Sequence, residues 1–405
     1  MLIHENLLCG VKVHLQLHKY FGTWPVDLIT RERKDVAVLS SINQIKWQWV
    51  KLFFASVFLA ILWVQIFSSR NVENLITTLE SMLYSCSLQT IIILKVTYLQ
   101  RRHFAAELLN LILKYERCLK NAGENKQYFY LERSSKALVR FIQFCATVAT
   151  PVLVVSYALQ RWRNPCNSAM FLFKILAECS AEINTSTWRI SSLTQLALQI
   201  LFSIWLIFDM CGGFMFQTVE LIYLESCCFN HYIKSIRMSL FQVDFKISYF
   251  LQFRQLQTLL RLYNLIQQDI MKVVICTTIF SFIVSLYALI YLGSGEEGIS
   301  IPKLMFFSCL FLDCFLAIVA CFGTFAGVHS ESLRTVEFMK EKVLPRLMQS
   351  HNLCQRKQFI VLISKYVKSF RVFKFDIGEV NYVEKFTPVA MLQFCFDQVA
   401  NLLLI

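Results

Sequence analysis

The chain has 405 residues, of which 56% are hydrophobic and only 17% charged, against about 25% charged in ordinary soluble domains. That balance excludes a soluble multidomain protein. The net charge is +13, yet the Lys and Arg residues sit in loops beside apolar stretches, which fits cytoplasmic retention of membrane loops and excludes a nucleic-acid partner.

Residues 1–49 form an N-terminal region in which Arg31, Glu32, Arg33, Lys34 and Asp35 cluster. It has no short apolar core near its start, so the first span is expected to act as the insertion signal. That span runs from Val50 to Ser68. A short turn with Arg70 and Glu73 leads to a second span, Leu75 to Leu99, whose Glu80 and Lys95 lie near its ends and reach the interface. A basic loop follows, with Arg101, Arg102, Lys114 and Arg117. Its amphipathic run FAAELLNLILKYERCL predicts a cytoplasmic helix continuing the second span.

The third span covers Ala137 to Leu159 and contains Pro151, which membrane helices tolerate. The loop from Gln160 to Ser192 holds the sequon Asn184-Thr185-Ser186, so glycosylation at Asn184 is expected with this loop outside. A fourth span, Leu193 to Val219, carries Asp209 and Gly212-Gly213. The segment from Glu220 to Asp269 is basic and reads as helical. A fifth span, Met271 to Leu292, and a sixth, Lys303 to Val328, flank the acidic turn GSGEEGISIP. Residues 329–385 are the most basic stretch, and 386–405 form the last span.

About seven spans thus result, by the rule of ~20 apolar residues per crossing. Basic and base-poor loops alternate, which places the N-terminus in the cytoplasm and the C-terminus outside. The expected fold is an all-α membrane protein with seven transmembrane helices extended into the cytoplasm. A G-protein-coupled receptor has the opposite orientation, and no DRY-like or NPxxY-like motif occurs. A transporter predicts two related halves with interrupted helices, and no internal repeat is present.

Enzyme motifs are absent: there is no Walker loop, HExxH or GxSxG. The seven His residues are scattered, and no Cys/His group has metal spacing. No cofactor and no catalytic role is expected. Most of the Cys residues lie in apolar stretches and behave there as small hydrophobes. Asp209, Asp313 and Asp397 fall inside spans. Such acids suit an ion path or a ligand contact, or a hydrogen bond between helices.

The last span repeats polar groups four apart at Gln393, Asp397 and Asn401, which puts them on one helical side. That stripe suits a helix lining a wetted path, and equally a helix glued to its neighbours by polar groups. The outer halves of spans two to six supply Tyr84, Tyr157, Gln199, Phe202, Tyr287, Tyr291, Phe306 and Phe307. Together they suit an apolar pocket for a small organic ligand. Singly they also suit interfacial anchoring and packing.

The length, the orientation, the long basic cytoplasmic segments and the C-terminal run FKFDIGEVNYVEKFTPVAMLQFCFDQVANLLLI resemble the insect-type chemoreceptors, the gustatory and odorant receptors. The run KSFRVFKFDIGEV is closer to the gustatory branch. The gustatory ending, a Thr-Tyr pair, apolar residues and Gln-Phe, is replaced here by Ala400-Asn401, Leu402, Leu403, Leu404 and Ile405.

The resemblance implies a ligand-gated, non-selective cation channel of four identical or related subunits in the plasma membrane. Residues 50–328 would form the ligand-binding bundle, 329–385 the cytoplasmic anchor and 386–405 the pore helix. Leu404 would narrow the channel, with Asn401 and Gln398 wetted below it. A small organic tastant or odorant would be the ligand, and an odorant subunit would also need a shared co-receptor.

Overall fold

The computed structural model describes residues 26–31, 34–68, 75–121, 222–241, 248–294, 301–349, 357–378 and 381–404. The third and fourth spans expected from the sequence, and Asn184, lie outside them. An antiparallel hairpin comes first, β1 (Val26–Arg31) with β2 (Lys34–Leu39), in the register Val26 opposite Leu39. Sequence reading assigned no structure there.

Helix α1 (Ile42–Ser68) begins eight residues before the expected start at Val50. The reason is a capping box. The Ser41 hydroxyl accepts from the Gln44 N–H (3.4 Å), and the Gln44 side-chain oxygen accepts from the Ser41 N–H (3.1 Å). Trp47, Trp49, Phe53, Phe54, Val64 and Phe67 remain exposed along α1, as a lipid-facing surface requires.

Helix α2 (Leu75–Gln100) matches the second span. After a turn at Arg101 comes α3 (Arg102–Asn121), the expected amphipathic extension. Its Leu108, Leu113 and Tyr115 are buried, while His103, Glu107 and Lys114 are exposed. Arg101 fastens this corner to the helix opposite. It donates to the carbonyls of Leu265 and Ile266 and pairs with Asp269 at 2.6 Å.

Helix α4 (Ile222–Leu240) is followed by α5 (Ser248–Gly293), a single unbroken helix of 46 residues. At 1.5 Å per residue it is about 69 Å long, more than twice the ~30 Å hydrocarbon core. The fifth span and the helical segment expected before it are therefore one rod. The sixth span is likewise longer than expected. Helix α6 (Ile301–Leu316) runs through a π turn at Ala317–Phe322 into α7 (Gly323–Phe338), a second π turn at Met339–Val343, and α8 (Leu344–Gln349). Thr324 donates its hydroxyl to the Ala320 carbonyl (2.6 Å) beside the first π turn, where the α ladder is interrupted.

Helix α9 (Lys357–Lys368) precedes a segment without helix or strand, residues 370–375, and a short hairpin of β3 (Asp376–Ile377) and β4 (Asn381–Tyr382). The chain closes with α10 (Thr387–Leu403), which has a Pro in its first turn. Among the described residues, four helical segments are long and apolar enough to cross a membrane: Ile42–Val64, Thr78–Gln100, Ser248–Gly293 and Lys303–Arg346. They overlap the expected first and second spans and contain the expected fifth and sixth. Helix α10, at 17 residues, sits at the lower end of spanning length, about 17–25 residues.

The main core lies where α4, α5, α7 and the 370–375 segment meet. Phe375 is packed edge-on against Phe325 (4.7 Å), Tyr263 (5.3 Å) and Phe229 (6.0 Å). Phe253 meets Phe373 (4.9 Å) and Phe370 (5.1 Å). A smaller cluster at the other end of α5 joins Ile76, Leu83, Val284, Ala288, Leu292 and Phe307.

Candidate functional site

Two regions carry the residues singled out from the sequence. The first is the aromatic group around the small cluster. Tyr84 on α2 stacks on Phe306 of α6 with ring centroids 5.8 Å apart. Phe306 meets Phe307 edge-on at 5.2 Å. Phe307 is fully buried, whereas Tyr84, Tyr287, Tyr291 and Phe306 are half-buried. Tyr291 and Phe306 pack against the cluster that contains Phe307. Tyr287 lies one helical turn before Tyr291 on α5. So α2, α5 and α6 do bring Tyr84, Tyr291, Phe306 and Phe307 to one place. Tyr157, Gln199 and Phe202 lie outside the described residues.

Small polar residues join the same helices. Thr90 of α2 and Thr277 of α5 share a hydrogen bond of 2.5 Å between hydroxyls. Thr90 also donates to the Cys86 carbonyl at 2.8 Å, and Ser85 to that of Ser81 at 2.9 Å. The last two bonds lie within α2; the Thr90–Thr277 bond joins two helices, and within a bilayer an interhelical bond of this kind acts as helix glue. Sequence reading passed over Thr90 and Thr277, because the contact links residues far apart in the chain.

The second region is α10. Met391, Cys395 and Val399 are buried four apart and form its inward stripe. Gln393, Asp397 and Asn401 are exposed, Gln398 is half-buried, and Leu404 is 86% exposed at the helix C-cap. The polar stripe therefore points away from the chain's own core. Phe396 approaches Phe282 of α5 edge-on at 5.6 Å. Asp313, the other span aspartate singled out that falls among the described residues, is exposed on α6 beside Leu312, while the next residue, Cys314, is buried.

No group of three or more His, Cys, Asp or Glu side chains is placed to hold a metal among the described residues. Away from the spans, burial and the neighbouring Lys234 push the His231 imidazole down to about 4, so it is neutral at physiological pH. Asp376 is raised, by burial first, against the lowering effects of its hydrogen bond from Asn264 and of Lys374.

No family model matches the chain, and neither does any curated protein. Solved structures do. The insect olfactory receptor OR5 of Machilis hrabei superposes with a TM-score of 0.62 over 99% of both chains, at 10% identity. The same receptor in complex with eugenol gives 0.63 with the same coverage and identity. The fold is that of an insect olfactory receptor. It is a multi-pass, all-α membrane architecture, and the superposition extends over almost the whole length.

Proposed function

We propose that this chain is a chemoreceptor of the insect type: one subunit of a ligand-gated, non-selective cation channel in the plasma membrane. The ligand is a small organic tastant or odorant. Four identical or related subunits surround a pore lined by α10. The N-terminus is cytoplasmic, the C-terminus is outside, and seven helices cross the bilayer.

The observation that carries this reading is the outward polar stripe of α10. A helix packed only within its own chain turns polar groups inward in a bilayer, because lipid offers them no partner. Here Gln393, Asp397 and Asn401 face away from the core, which suits water in a central path. The superposition over 99% of an olfactory receptor supports the same assignment. Tyr84, Tyr287, Tyr291, Phe306 and Phe307 then form part of the ligand pocket, with Tyr157, Gln199 and Phe202 completing it. Leu404 narrows the pore above Asn401 and Gln398. Ligand opens the channel only by its preference for the open state.

The test is current recording from cells expressing the chain alone and with a co-receptor subunit. A panel of small phenols and sugars is applied, with eugenol included because it is bound in the olfactory receptor structure. Current from the chain alone supports a self-sufficient, gustatory-like subunit. Current only with the co-receptor supports an odorant-type subunit. A Leu404→Ala variant with unchanged conduction removes Leu404 as the constriction. A tag on Ile405 that is labelled only after permeabilisation overturns the topology and the channel reading with it.

A further inference from the structure

The segment 370–375 is neither helix nor strand, so its backbone groups need donors and acceptors outside a regular ladder. Two different helices supply them. From α5, Gln257 donates its side-chain amide to the Arg371 carbonyl (2.6 Å). About two turns further along the same face, Asn264 donates to the Lys374 carbonyl (2.8 Å) and to the Asp376 carboxylate (2.8 Å). The Gln268 carbonyl then accepts from the Gly378 N–H (3.0 Å). Residues 257, 264 and 268 are seven and four apart, on one side of the rod.

From α7, the Ser332 hydroxyl accepts from the Phe373 N–H (2.9 Å) and donates to the His329 carbonyl (2.9 Å). The Phe373 carbonyl lies 3.0 Å from His329 Nδ1. Between these ties Phe370, Phe373 and Phe375 insert into the core. The segment is thus bound on one side to α5 and on the other to α7. Ten residues beyond Ile377 it becomes α10.

Each tying helix has a second end. Helix α5 carries Tyr287 and Tyr291 there, and α7 continues backward through the π turn into α6 with Phe306 and Phe307. Two of the three helices that meet at the candidate pocket, α5 and α6 with its continuation α7, thus meet again at this segment. We propose that Asn264 and Ser332 are positioning residues that couple the relative placement of α5 and α7 to the placement of α10. The inference rests on the channel reading only in calling α10 the pore helix.

The test is hydrogen–deuterium exchange on the full-length protein in lipid nanodiscs without ligand. Wild type is compared with Asn264→Leu, Ser332→Ala and the hydroxyl-retaining Ser332→Thr. In both disrupting variants, peptides from 370–378 and from 387–403 are expected to exchange about fivefold to tenfold faster, the scale of one lost hydrogen bond. Peptides from 75–100 should be unchanged, and Ser332→Thr should behave as wild type. Acceleration of 370–378 alone makes the ties a local fastening and overturns the coupling. Uniform acceleration of all helices overturns it too, as simple loss of folding. Wild-type protein that never conducts would sink the channel reading and leave the exchange result intact.

Discussion

The two ends of α5 are built differently. At one end Phe250, Phe253, Tyr263, Phe370, Phe373 and Phe375 are sealed in a large aromatic core, crossed by side-chain to backbone hydrogen bonds. At the other end the buried cluster is small, and Tyr84, Tyr287, Tyr291 and Phe306 are only half-buried. The same rod therefore joins a region in which the rings are buried to one in which they are only half-buried. The first has the character of a scaffold. The second leaves ring surface uncovered, and under the proposed function that is the surface a ligand would meet.

Substitutions at the two ends test that contrast. The largest expected effect is Phe375→Ala, which opens a void between Phe229, Tyr263 and Phe325 and should cost about 3–5 kcal/mol. Thermal unfolding and the amount of folded protein at the surface report it. An equally mild outcome for Phe375→Ala and Phe306→Ala would erase the distinction between the two ends.

Acidification comes next, and acts on the scaffold end. Because the folded state holds His231 near 4, the unfolded chain, at its ordinary value near 6.5, takes up the proton first. Stability is full above about pH 6.5 and falls as pH drops toward 4, by roughly 3 kcal/mol at most. His231→Phe should flatten the melting temperature over that window. A wild-type melting profile as flat as the variant's would show that His231 is not held neutral.

Gly378→Ala should cost about 1–2 kcal/mol, the scale of a non-glycine residue in the left-handed region. The backbone there has φ of 68°. The new methyl would also fall 1.6 Å from Lys272 Cε, but that is the far end of a flexible side chain and moves aside. Pairing Gly378→Ala with Lys272→Ala separates the two. If the double variant melts as the wild type does, the side chain and not the backbone was the obstacle.

The smallest stability effect is expected at Tyr84→Ala and Phe306→Ala, about 1 kcal/mol each from one half-exposed stacking pair. Their effect should appear in the dose–response to an active ligand instead. Unchanged responses with both variants would take the Tyr84–Phe306 pair out of the pocket.

Much of this architecture is legible in the sequence because hydrophobic runs and Lys/Arg placement follow from bilayer physics alone. The second span was read to within a residue of α2, and the buried and exposed sides of α10 follow its four-residue polar spacing. The boundary of α1 was missed because the capping box at Ser41 and Gln44 lies in polar sequence outside the apolar window. The unity of α5 was missed because a hydropathy window registers only the part of a helix inside the bilayer. In the candidate site, the meeting of Tyr84 with Phe306 and of Thr90 with Thr277 depends on helix rotation, which composition does not specify. The ties of segment 370–375 were invisible for the same reason: Asn264 and Ser332 read as unremarkable helix residues until their distant partners are placed beside them.

The outward stripe of α10 has a numerical consequence. In a fourfold assembly each residue of the stripe becomes a ring of four, so one carboxylate at Asp397 becomes four around a common axis. A substitution there is multiplied by symmetry, and mixing variant with wild-type subunits changes the ring in discrete steps. Coexpression at graded ratios would then yield channels with five compositions, and the spacing of their conductances would count the subunits.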